Sequence, residues 1–199
     1  MSAKSFRAFA DRHDYELRIH TGDVPPERPA SWARIPRIQS PMERFGLVLW
    51  IDADAAIVDP SLGIADQPGR REVMGMGMVA HRTPESRDPL PTCGVWVIRS
   101  HRMTRQLLAG AWEQTQYIEH TWWENAAVMD QLGFELDPEV RLAHPTRLFR
   151  HTRFLSNEWN SVPPDPAVTP RIVHVPGLPV AEPLLRLESA LEEVGIAGK

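Results

Sequence analysis

The run Leu47-Val48-Leu49-Trp50-Ile51 stops abruptly at Asp52-Ala53-Asp54. Five apolar residues without alternation predict a strand buried on both faces of a parallel sheet, because a half-buried strand interleaves polar residues. The carboxyl end of such a strand is where open α/β sheets place their ligands. Two carboxylates two residues apart can point to the same side of an extended backbone, offering hard oxygen ligands for Mg²⁺ or Mn²⁺. Without a cation or donors to offset them, such neighbours repel each other beside apolar surroundings. The plainer reading of the same residues is a turn at Asp54 and a helix cap at Asp52.

The rest of the chain supplies the partners an α/β sheet needs. Ser5 to Arg12 mixes Phe6, Ala8, Phe9 and Ala10 with charged residues and predicts a short helix, followed by an extended segment, Tyr15 to His20. Trp32 to Ile38 predicts a second helix ended near Pro41. Val73 to Ala80, Gly94 to Arg99 and Arg171 to Val175 read as strands, and Arg102 to His120 and Trp122 to Leu132 as helices. Glu182 to Val194 carries leucines on one side and charges on the other, as an amphipathic helix does. With 199 residues and no repeat or charge block, the expectation is one α/β domain over residues 1–199. The 19 prolines cluster between these elements.

Composition removes several function classes. A net charge of −4 gives no general attraction to nucleic acid or anionic lipid. One cysteine, Cys93, excludes an internal disulfide and a zinc site of several thiolates. Lysine occurs only at Lys4 and Lys199, so Schiff-base chemistry and a phosphate-binding P-loop have no interior lysine to use. The same shortage argues against a phosphatase of the haloacid-dehalogenase type, which also places D-x-D after an apolar strand. Gly75-Met76-Gly77-Met78 has no following lysine and fits no phosphate loop. No apolar run is long enough for a signal-peptide core or a membrane span, so the expected compartment is the cytoplasm.

Five segments carry a resemblance when taken in order: Ser31-Trp32-Ala33-Arg34-Ile35-Pro36, Val48 to Ala55, Thr92-Cys93-Gly94-Val95-Trp96-Val97-Ile98-Arg99, His120-Thr121-Trp122-Trp123-Glu124-Asn125-Ala126-Ala127, and Ile172-Val173-His174-Val175-Pro176-Gly177. Together they resemble the GT-A-fold glycosyltransferases, particularly family 34, the retaining galactosyl, mannosyl and xylosyl transferases. Val48 to Ala55 is similar to the family's DxD segment, and Ser31 to Pro36 to the helix before it. The others are similar to its N-x-G-V-x-L-I-R strand, its W-W-E-Q-A-A helix and its H-x-x-G ending. The resemblance spans residues 3–178.

The resemblance implies a GT-A-like mixed sheet flanked by helices and a metal-dependent, retaining transfer of a hexose or pentose. The donor would be a nucleotide-diphosphate sugar, UDP- or GDP-linked, and the acceptor a hydroxyl of a glycan or small molecule. It implies that Asp54 and His174 hold Mn²⁺ or Mg²⁺, with Asp52 on the ribose or metal-water side. Taken alone, His174 also fits a packed strand histidine. Glu124 is the candidate carboxylate beside the sugar, preceded by Trp122 and Trp123, whose faces suit sugar rings; an exposed helix glutamate is the alternative. Gly94 is expected to permit close backbone approach to the sugar, or simply to open a strand, and Gly177 closes the cofactor-binding segment. Arg147 and Trp159-Asn160 lie in segments similar to family stretches near the acceptor cleft. The family's first strand has no counterpart before Ser5. The sheet is therefore expected to leave an edge exposed or paired with another chain as a homo-oligomer, and a degenerate nucleotide- or carbohydrate-binding module is the alternative function.

Overall fold

The computed structural model of the chain describes residues 2–22, 26–80, 89–162, 166–177 and Leu187. Helix α1 (Ser2–His13) comes first, and the segment Tyr15–His20 after it forms no strand. A 3-10 turn over Ala30–Ala33 feeds α2 (Arg34–Gln39), beyond which Pro41 has no N–H to continue the ladder. Strands β1 (Leu47–Ile51), β2 (Ala55–Ile57), β3 (Met74–Ala80) and β4 (Pro89–Arg99) follow. Helices α3 (Arg102–Glu113) and α4 (Trp123–Leu132) come next. A short hairpin of β5 (Phe134–Glu135) and β6 (Arg141–Leu142) precedes α5 (Arg147–Arg150), β7 (Thr152–Phe154) and β8 (Ile172–His174). The turn from α4 into β5 needs Gly133: its φ is 102°, and a Cβ there would lie 1.9 Å from the His144 carbonyl oxygen.

The main sheet has the order β1-β4-β3-β7 and is mixed, with β3 and β7 parallel and the other pairs antiparallel. Side chains alternate across it into two cores. Val48, Trp50, Trp96 and Ile98 meet Trp32, Ile35 and Ile38 around α2 and Leu107, Leu108 and Val128 from α3 and α4. Leu47, Leu49, Ile51, Val95 and Val97 meet Phe9 of α1, Ile57 and Ile172 on the other side. The continuous apolar run of β1 thus serves two covered faces, as its composition predicts, but its direction differs from the expectation. β1 pairs antiparallel with β4 and has no second neighbour among the described residues, and each of its residues is only half-buried. An apolar run reports that both faces are covered, and carries no information on strand direction.

Two local features shape the site. The register of β3 on β4 steps from Met76 opposite Trp96 to Gly77 opposite Thr92, so Cys93, Gly94 and Val95 bow out of that ladder as a bulge. A second, two-stranded sheet pairs β2 with β8 and sets Ala55 opposite His174. The proposed helix over 182–194 lies outside the described residues except for Leu187, which is buried near Ala56, Val58 and Val175. No described helix is long and apolar enough to cross a membrane.

Candidate functional site

Asp52 extends the β1 ladder by one bond, its N–H donating to the Gly94 carbonyl at 2.9 Å, and Ala55 N–H then closes a turn onto the Asp52 carbonyl at 3.2 Å. That turn carries Asp54 and delivers the chain to β2. Because β2 pairs with β8, the imidazole of His174 arrives beside Asp54, and Val175 N–H donates to the Asp54 carbonyl at 3.0 Å. Asp52, Asp54 and His174, distant in sequence, each bring one ligand atom to within 4.8 Å of the others.

The two carboxylates sit in different company. Asp52 Oδ1 accepts from the Trp50 indole at 2.7 Å and Oδ2 from Arg34 Nη2 at 2.9 Å. Arg34 in turn lies 3.0 Å from Glu124 Oε1 through Nε, which also donates to the Ser31 carbonyl at 3.3 Å. Burial alone would favour the uncharged guanidine, but the charges of Asp52 and Glu124 outweigh it and hold Arg34 protonated. Among the described residues, Asp54 has no arginine or lysine in contact. His174 Nε2 stands 3.3 Å from Asp54 Oδ1 and makes no hydrogen bond, although the ring is 1% exposed.

The remaining expected residues take more specific places. Glu124 is 2% exposed, which rules out the open helix surface; it is the buried counter-ion of Arg34, and its Oε2 has no partner. Trp123, the residue before it, is 45% exposed and has a φ of 46°, rare for a bulky side chain. At Gly94 the close approach is made by His174: a Cβ there would lie 2.2 Å from the ring Cε1. Gly177 has φ 75°, and no described residue lies within 4 Å of a Cβ placed there. Arg147 opens α5 and is exposed.

Two residues gain roles that the sequence does not announce. Arg34 lies between the buried Ala33 and Ile35, and that apolar setting was the available signal. Asn160, which the resemblance put in a segment near the acceptor cleft, is buried with its Oδ1 2.9 Å from His174 Nδ1, a contact that the sequence does not announce.

The donor set fits a divalent cation. An imidazole nitrogen without a hydrogen-bond partner and a carboxylate, mutually close and with a second carboxylate at hand, form a nitrogen–oxygen set suited to Mn²⁺. A buried polar atom without a partner costs free energy unless something fills the gap. No protein-family model matches the sequence, and neither does any curated protein. Among solved structures, the chain is similar to the crystal structure of a glycosyltransferase involved in the glycosylation of the major capsid of PBCV-1. Identity is 15%, the TM-score is 0.63, and the match covers 94% of this chain and 90% of that one. The likeness is one of fold.

Proposed function

We propose that this chain is a GT-A-type glycosyltransferase, moving a hexose or pentose with retention from a UDP- or GDP-sugar to a hydroxyl of a glycan or small acceptor. The observation that carries the reading is the convergence of Asp52, Asp54 and the unpartnered Nε2 of His174 on a glycosyltransferase-like fold. Asp54 and His174 would hold Mn²⁺ or Mg²⁺, and Asp52, already accepting from Trp50 and Arg34, would stand beside them toward the ribose or a water. When bound, such a cation supplies positive charge against the diphosphate leaving group as the sugar departs.

The chain's own residues set the stage for that chemistry. Arg34 fixes the Asp52 carboxylate, and Glu124 fixes Arg34. Glu124 therefore acts by positioning and through its one free oxygen. Trp123 offers an exposed aromatic face near Glu124, suited to the apolar face of a sugar ring. A second reading, a nucleotide- or carbohydrate-binding module without turnover, is favoured by one fact: Glu124, the carboxylate expected beside the sugar, is buried and engaged by Arg34.

A thermal-shift panel of UDP, GDP and their sugars with and without Mn²⁺ tests both readings, followed by a transfer and hydrolysis assay on any hit. Mn²⁺-dependent stabilisation with turnover supports the transferase. The same stabilisation without turnover selects the module. An absence of any Mn²⁺-dependent shift overturns the metal-site reading.

A further inference from the structure

The imidazole of His174 is held at its other nitrogen, and what holds it decides which nitrogen can bind a cation. Asn160 Oδ1 lies 2.9 Å from Nδ1, and Asn160 Nδ2 donates to the Met78 carbonyl at 2.9 Å. The amide cannot be turned over: its oxygen would then face the Met78 carbonyl, acceptor against acceptor. The group facing Nδ1 is therefore an acceptor, and Nδ1 must carry the proton. In a neutral imidazole that leaves the Nε2 lone pair facing Asp54 Oδ1 at 3.3 Å, acceptor against acceptor, an arrangement that a cation between the two resolves.

The amide is itself held by backbone. A Cβ at Gly77 would lie 2.9 Å from Asn160 Cβ and Cγ, so the amide rests on a residue that has no side chain. Gly77 stands where the β3–β4 register steps, and Met78 follows it. At Cε1, between the two ring nitrogens, Gly94 admits the imidazole, its own notional Cβ 2.2 Å from that carbon. Backbone bonds from Ser161 N–H to the Ile172 carbonyl at 2.8 Å, and from His174 N–H to the Ser161 carbonyl at 2.9 Å, tie the Asn160 segment to β8. The ring is thus fixed by an acceptor on one nitrogen and by a bare glycine on its Cε1 side.

We propose that Asn160 is a positioning residue that locks His174 in the Nδ1–H tautomer and so presents Nε2 as a ready metal ligand. The proposal deepens the metal-site reading and rests on it for its consequence; the tautomer itself exists without any metal. Long-range ¹H–¹⁵N spectra of the histidine rings in the metal-free wild-type protein, in weakly alkaline buffer, read it directly. The expected result is a protonated Nδ1 and an unprotonated Nε2 for His174; the opposite pattern overturns the proposal with no variant needed. Asn160→Leu keeps the bulk and removes the acceptor. It should shift the ring toward Nε2–H and weaken Mn²⁺ binding about 10- to 100-fold by calorimetry. If Asn160→Leu folds and retains both the tautomer and the Mn²⁺ affinity, Asn160 does not position the ring. A wild-type Nδ1–H tautomer in a protein that binds no Mn²⁺ would uphold the positioning role and instead sink the metal-site reading.

Discussion

Asp52 and Asp54 are separated by one alanine, yet one belongs to a charge network closed on itself and the other to a site left open. On the Asp52 side, Arg34 lies between two carboxylates, the Trp50 indole takes one oxygen, and Glu124 is shut away from solvent. On the Asp54 side, the nearest polar atom of His174 is a nitrogen without a hydrogen-bond partner, held there by Asn160 and by the absence of a side chain at Gly94. A carboxylate whose lone pairs are already engaged has less to gain from a cation than one facing an idle imidazole. Proximity alone gathers three ligands; prior engagement tells which of them are available.

The largest expected effect tests the closed side. Arg34→Met leaves Glu124 as a buried, unpaired carboxylate, and the expected loss in unfolding free energy by urea denaturation is about 3–5 kcal/mol. The double variant Arg34→Met/Glu124→Gln removes the stranded charge as well and should regain a large part of that loss. If the single variant is as stable as wild type, the network is not what holds Asp52. The open side answers to a different probe. Gly94→Ala drives a methyl group into the His174 ring and should lower Mn²⁺ affinity about 100-fold or more, read by calorimetry, since packed rings relax poorly around an added atom. Next comes a direct contrast between the carboxylates. Asp54→Asn should cost more Mn²⁺ affinity than Asp52→Asn, whereas Asp52→Asn should cost more stability by weakening the Arg34 pair. Equal effects on both measurements would dissolve the distinction between the two sides.

These contrasts also show which parts of the arrangement could be read from sequence. The position of Asp52 and Asp54 after an uninterrupted apolar run was legible because both sheet faces draw on the same alternating residues. The direction of that strand was not, since an apolar run looks alike in a parallel or antiparallel ladder. β2 and β7 are each three residues long, too short for periodicity to register; Arg171 to Val175 read as a strand, but the β2–β8 pairing that brings His174 to Asp54 did not show in it. The burial of Glu124 depends on a partner in a helix formed much earlier in the chain, so a lone glutamate between Trp123 and Asn125 read equally well as exposed. Gly77 read only as a failed phosphate loop because its use, making room for Asn160, needs a register step that no local pattern encodes.

The smallest expected effect uses Cys93 as a reporter of the closed side. Its thiol is fully buried, and burial pushes its ionisation well above the usual range; Glu124 and Asp52 push the same way, and the nearby Arg34 only partly opposes them. An unfolded thiol ionises near about pH 8.5. Because the folded value is higher, the stability associated with this group is intact below that pH and declines as pH rises above it, by at most about 1.4 kcal/mol per pH unit. Urea unfolding of wild type and Cys93→Ala at neutral and alkaline pH isolates the term, and the alanine variant should lose that part of the alkaline slope. In neutral buffer, native Cys93 should resist iodoacetamide. Asp54→Asn should leave that resistance unchanged while Arg34→Met lowers it, since only the second opens the network around the thiol. Equal labelling of the two variants would mean that the halves of the cleft move as one unit, and the separation drawn between Asp52 and Asp54 would fail.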